Sequence, residues 1–160
     1  MIRPFLVAAV LLGSAAAAPA QSFDPLVFFT GPTRGAGSLK VKFKPAVPIR
    51  IESRGKPDGK GGIILLQTIS EGTKPARQNR WSLRPTSPTT LTGSATNSPG
   101  PIRGRMNGNR LLLNYAMKGG MKAEQILTLQ PGGLSVLSRM TIKRLGITVA
   151  RVEEVITKAN

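Results

Sequence analysis

The sequence predicts an all-β domain: a single antiparallel up-and-down β-barrel of about ten short strands. Three observations predict it. After residue 20, apolar residues alternate with polar ones over most of the chain, the two-residue period of a half-buried strand. Glycine and proline punctuate that pattern roughly every 8–12 residues, the spacing of sandwiches and barrels. The stretch from Pro101 to Lys143 reads as four alternating runs separated by Asn107-Gly108, Gly119-Gly120 and Pro131-Gly132-Gly133. Asn-Gly between apolar runs signals a hairpin, because both residues accept the positive φ of a type I′ turn. Closing such a meander on itself removes its unpaired edges.

The first twenty residues stand apart. Met1-Ile2-Arg3 is a positive start, Pro4–Gly13 an apolar run, and Ala18-Pro19-Ala20 a small-residue cleavage site. This is the layout of a secretory signal peptide, and the run is short for a membrane span. The expectation is residues 1–20 as leader and 21–160 as one barrel domain, a bacterial periplasmic or secreted protein with no span left after cleavage. With no cysteine in the chain, there is no lipid-anchor residue and no disulfide, so the core and the strand ladder must hold the fold.

Gln21–Pro25 reads as a loose end, Leu26–Thr30 as a short apolar strand, and Gly31–Gly37 as a glycine-rich turn. Leu39, Val41 and Phe43 then face one way, with Lys40, Lys42 and Lys44 the other. Val47, Ile49 and Ile51 continue that face. Gly55–Gly62 is a turn. Ile63–Ile69 is a nearly continuous apolar run, hence a strand covered on both faces or bulged. Trp81 and Leu83 point inward from Arg77–Arg84, and Pro85–Pro88 makes a corner. Leu91, Gly93 and Ala95 share the inward face, and the small residues there fit a narrow interior or a close strand approach. Leu111, Leu113, Tyr115 and Met117 share one face; Leu134, Val136, Met140 and Ile142 share another. Ile147–Lys158 fits both a helical stripe and a period of two, and its β-branched content favours a strand.

The chain of 160 residues carries a net charge of +16. Loss of Arg3 with the leader leaves it almost as basic. Such an excess suits an anionic partner, and it also serves plain solubility. For an exported protein the anionic partner is an envelope surface rather than nucleic acid. Lys40, Lys42, Lys44, Arg103 and Arg105 are the candidates for that contact.

With no histidine and no cysteine, the usual triads, thiol nucleophiles and zinc sites are excluded. No cofactor or metal is expected. Ser53-Arg54-Gly55-Lys56 matches the S-x-x-K of serine–lysine acyl enzymes, but its companion motifs are absent. The carboxylates are scattered. The adjacent pair Glu153-Glu154 would point to opposite faces of a strand. Small barrels either fill their interior or hold one ligand. On the second reading Trp81, Leu113, Tyr115 and Met117 line the pocket, and the function is non-catalytic binding of an apolar or amphipathic, lipid-like molecule. The alternative is a structural or interaction module with a filled barrel and a basic surface. A hydrolase or isomerase with an unmarked site is a third reading, which an inward carboxylate in a roomy cavity would raise.

Several motifs occur in a fixed order: Phe29-x-Gly31, Thr33-Arg34-Gly35-x-Gly37, Arg80-Trp81, Leu91-Thr92-Gly93-x-Ala95, Gly100-Pro101-x-x-Gly104, Gly108-Asn109-x-Leu111 with Tyr115, and Ser138-Arg139-Met140-Thr141-x-Lys143-x-x-Gly146. In this order the chain resembles the bacterial envelope family catalogued as domain of unknown function 3833. The resemblance implies a lipocalin-like barrel in the cell envelope, and it implies no reaction.

Overall fold

In the computed structural model, which describes residues 21–159, ten strands follow one short helix. The helix is α1 (Pro25–Phe29). The strands are β1 (Gly31–Val41), β2 (Val47–Pro57), β3 (Ile63–Glu71), β4 (Arg77–Ser87) and β5 (Thr90–Ala95), then β6 (Ile102–Asn107), β7 (Arg110–Met117), β8 (Met121–Leu129), β9 (Ser135–Arg144) and β10 (Ile147–Lys158). They form a closed barrel in which every strand pairs antiparallel with its neighbours in sequence, and β1 pairs with β10. That closing pair runs from Thr33 opposite Lys158 to Val41 opposite Ala150. The expected leader, residues 1–20, lies outside the described residues.

Side chains alternate strictly on most strands. The inward face is apolar, with Ile63, Ile102, Leu111 and Val136 at most 1% exposed. The outward face carries most of the charge. A barrel that crosses a bilayer alternates the other way, apolar outside. Among the described residues no helix is long and apolar enough to cross a membrane.

Several local expectations are corrected. Leu26–Thr30 is not a strand but belongs to α1 and its C-terminal edge. Asp24 Oδ1 accepts from the N–H groups of Leu26 and Val27, at 2.9 and 3.2 Å, and Pro25 opens the helix with its fixed φ. Gly31–Gly37 is not a turn but the start of β1. Its glycines serve close packing: a Cβ on Gly37 would strike the Glu153 carbonyl, and one on Gly35 the Glu154 carboxyl. Phe43 does not face inward with Leu39 and Val41; it sits in the turn after β1, 93% exposed. Ile63–Ile69 has one buried face only, with Leu66 pointing out to solvent. Pro85 lies within β4, where the pairing shifts, rather than at a corner. Leu134 stands exposed in the turn before β9. The β6–β7 turn is Gly108-Asn109, one residue later than expected, and only Gly108 takes a positive φ. Ile147–Lys158 is a strand throughout.

Up-and-down order sorts the turns between two ends. One end holds α1 and the β2–β3, β4–β5, β6–β7 and β8–β9 turns. It is plugged. Phe23, Phe28 and Phe29 pack together, with ring centroids 5.0–6.5 Å apart. The Phe23 N–H donates to the Gly108 carbonyl at 2.9 Å. Lys158 Nζ donates to the Val27 and Thr30 carbonyls at 3.3 and 3.4 Å. Gly55 lets the plug seat, because a Cβ there would strike the Phe29 carbonyl. Asp58 fixes the β2–β3 turn. The N–H groups of Lys60 and Gly62, together with Arg84, hold its carboxyl down at about 2. The other end holds the β1–β2, β3–β4, β5–β6, β7–β8 and β9–β10 turns, and it is the mouth.

Candidate ligand cavity

Below the mouth the barrel is hollow, with a cavity of about 440 Å³. This lies within the range of small-molecule sites. Its upper wall is aliphatic: Leu39, Ile49, Ile69, Ile142 and Val152. Its floor includes Phe29 of the plug. The alternation that builds the core therefore also builds the pocket wall: the same inward residues pack together and line the cavity.

One level of the inward face is polar. Ser53 on β2, Gln67 on β3 and Trp81 on β4 form one half of this belt. Trp81 Nε1 donates to Gln67 Oε1 at 2.6 Å, and Gln67 Nε2 donates to Ser53 Oγ at 3.3 Å. Tyr115 on β7, Gln125 on β8, Ser138 on β9 and Glu154 on β10 form the other half. Gln125 Nε2 donates to Ser138 Oγ at 2.9 Å. The Tyr115 hydroxyl lies 3.5 Å from Gln125 Oε1 and 3.3 Å from Met140 Sδ. The halves meet where Trp81 and Tyr115 pack edge to face, centroids 5.3 Å apart. Burial pushes the Tyr115 hydroxyl far up, with the Glu154 carboxylate adding to it, so the phenol stays neutral and can donate.

Glu154 is the chemically distinctive residue. It is 5% exposed, sits opposite Ser138 across the β9–β10 ladder, and lines the cavity. Its Oε2 is buried without a hydrogen-bond partner among the described residues. Burial raises its carboxyl to about 7, against a smaller lowering by the Ser138 hydroxyl. Bare backbone at Gly35 makes the space its carboxyl occupies. Glu153, next to it, points outward to Arg139 at 3.0 Å. The opposite-face geometry expected from sequence is the one found. Nearer the mouth, Asn79 Oδ1 accepts from Thr96 Oγ1 and the Asn97 N–H, which leaves Asn79 Nδ2 and Asn97 Oδ1 without partners among the described residues.

Trp81, Leu113, Tyr115 and Met117 all line the cavity. Sequence reasoning missed Glu154 and Gln125. Their signal was polarity at inward positions of otherwise alternating strands. The five basic candidates do not form one face. Lys40, Lys42 and Lys44 stand exposed at the mouth end of β1 and in the turn after it. Arg103 and Arg105 lie outward on β6, across the barrel from β1. Ser53 and Lys56 of the S-x-x-K match lie on β2, a strand rather than a helix start, and their side chains take opposite faces. Among the described residues no group of three His, Cys, Asp or Glu gathers to hold a metal.

No curated protein matches this sequence. Among solved structures, the barrel is similar to the S-type phycobiliprotein lyase from Guillardia theta. The TM-score is 0.66 at 10% identity, covering 84% of this chain and 90% of that one. The likeness is one of fold. The family described as "Protein of unknown function (DUF3833)" matches residues 14–158, nearly the whole chain, and the protein belongs to that family.

Proposed function

We propose that the protein is a non-catalytic binder of an amphipathic small molecule, held inside the barrel with its polar group on the Glu154 belt. The observation that carries this is a hollow, mostly apolar interior whose wall includes the Glu154 side chain, with its Oε2 unpartnered among the described residues. A buried polar atom without a partner is costly. A ligand that donates a hydrogen bond, or carries a cationic group, would satisfy it. The aliphatic wall above would take an alkyl or other lipid-like body. A filled barrel serving only as a structural module would leave no such space. In this reading the protein is exported and works in the bacterial envelope, as its leader-like first residues suggest.

The test is native mass spectrometry of gently purified protein, followed by a panel of long-chain alcohol, amine and carboxylic acid. The expected result is a stoichiometric ligand, with the amine and alcohol binding at least tenfold better than the acid at pH 8. Glu154→Gln should abolish the preference for the amine. A clean unliganded mass with no binding from the panel would overturn the reading.

The raised Glu154 carboxyl also favours a second reading, proton transfer on a bound molecule, since a general acid–base group works best near ambient pH. Chemical change of a bound ligand that Glu154→Gln stops would distinguish it.

A further inference from the structure

The mouth carries two residues that break the pattern kept elsewhere. Phe43 (φ 62°) and Leu145 (φ 49°) are the non-glycine residues with positive φ among those described. They are also the most exposed large apolar residues described, at 93% each. Leu145-Gly146 is a two-residue turn with positive φ at both positions, closing Arg144 opposite Ile147. Asn, Asp or Gly ordinarily fills the first of these places. Here the chain puts a large apolar side chain in a strained backbone and points it at water, twice. Strained backbone of this sort clusters at functional sites.

The two tips are neighbours. β1 pairs with β10, and the Lys42 N–H donates to the Val149 carbonyl at 2.8 Å. Phe43 and Leu145 therefore project from adjacent hairpins at the cavity's open end. Their surroundings are cationic. Lys42 and Lys44 flank Phe43, and Lys42 Nζ lies 5.0 Å from its ring centroid. Arg144 precedes Leu145, Ile147 stands two positions after it at 59% exposure, and Lys118 stands in the β7–β8 turn. Glu71, the nearest acid to the β3–β4 turn, is occupied by Lys74 and Arg77. Isolated apolar tips set among lysines match the layered chemistry of an anionic bilayer surface, acyl region beneath phosphate. Interfaces with folded proteins are instead depleted in lysine, which surrounds the tips here.

We propose that the mouth end docks on an anionic lipid bilayer, with Phe43 and Leu145 entering the interface and Lys42, Lys44 and Arg144 on the headgroups. Docked this way, the cavity opens toward the lipid. That consequence rests on the ligand-binding reading above; the docking itself does not.

The test is co-sedimentation with phosphatidylcholine vesicles containing 0% or ~30% phosphatidylglycerol, at low and high salt. Binding is expected only to the anionic vesicles, and it should fall steeply with salt. Phe43→Asn/Leu145→Asn should bind at least tenfold more weakly while unfolding at a higher temperature, since Asn accepts the turn backbone. Lys42→Glu/Lys44→Glu should lose the salt dependence with the binding. Glu154→Gln should bind vesicles as the native protein does, which separates a failure of docking from a failure of the cavity reading. Equal binding to neutral and anionic vesicles, or native-strength binding by the Asn double variant, would overturn the proposal. So would a concentration-dependent dimer in the native protein that the double variant lacks, because the tips would then serve a second copy.

Discussion

The two ends of the barrel use the same residue type for opposite purposes. At the plugged end Phe28 and Phe29 are 3% and 7% exposed, and at the mouth Phe43 is 93% exposed. Hydrophobicity alone does not decide which of them is buried. At the plug a capped helix holds the rings over the barrel floor, Gly55 yields space, and Lys158 fastens the helix carbonyls. At the mouth none of the described turns folds over the opening as the helix does at the floor, and a left-handed backbone holds the exposed ring. Burial follows from what the local backbone can reach, and the fold makes one end a stopper and leaves the other a rim.

The largest effect is expected from opening the stopper. Phe28→Ala removes a ring from a packed cluster, and should lower the free energy of unfolding by about 3–5 kcal/mol in a denaturant titration. A loss below about 1 kcal/mol would mean that the plug is an ornament on a barrel stable without it. The belt between the two ends comes next. The folded Glu154 carboxyl holds its proton to about pH 7, whereas the unfolded one releases it near 4.5. The folded state is therefore penalised progressively as pH rises from about 4.5 through 7, and fully above it. Between pH 4 and pH 9 this component is on the order of 3 kcal/mol. Glu154→Gln should remove it from the pH dependence of unfolding, and an unchanged profile would show that water reaches the carboxyl freely. The smallest effect belongs to the rim. Leu145→Asn relieves a left-handed leucine and should stabilise the protein by about 1 kcal/mol, read as a raised Tm. Destabilisation instead would mean that the leucine has a packing role at the mouth.

The barrel was legible because alternation and turn chemistry are local. Leu39 and Val41, or Leu111, Leu113 and Tyr115, carry their orientation in their spacing. The plug was not legible. Leu26–Thr30 is as apolar as any strand, and its helix depends on the Asp24 cap and on a barrel floor to cover. Phe43 misled for a related reason: it continues the alternation of Leu39 and Val41 by one more step, past the point where the strand ends. The glycines at 35 and 37 looked like a turn because their true role, space for the Glu153-Glu154 segment, is set by a strand over a hundred positions later. Trp81, Leu113, Tyr115 and Met117 could be placed on the inward face from period alone. Glu154 could be placed on a face, but whether that face was packed or hollow depended on the distance across the closed barrel.

The contact of Lys158 with Val27 joins residues 131 positions apart, and β1 finds its second neighbour only in β10. The ring therefore cannot close before β10 is available to pair. Until β10 pairs, β1 and β9 remain open edges and the plug lacks its fastening. Such long-range closure slows folding and prolongs exposure of apolar strands to other chains. β10 thus times the closure, and a chain lacking it would keep two open strand edges rather than form a smaller barrel.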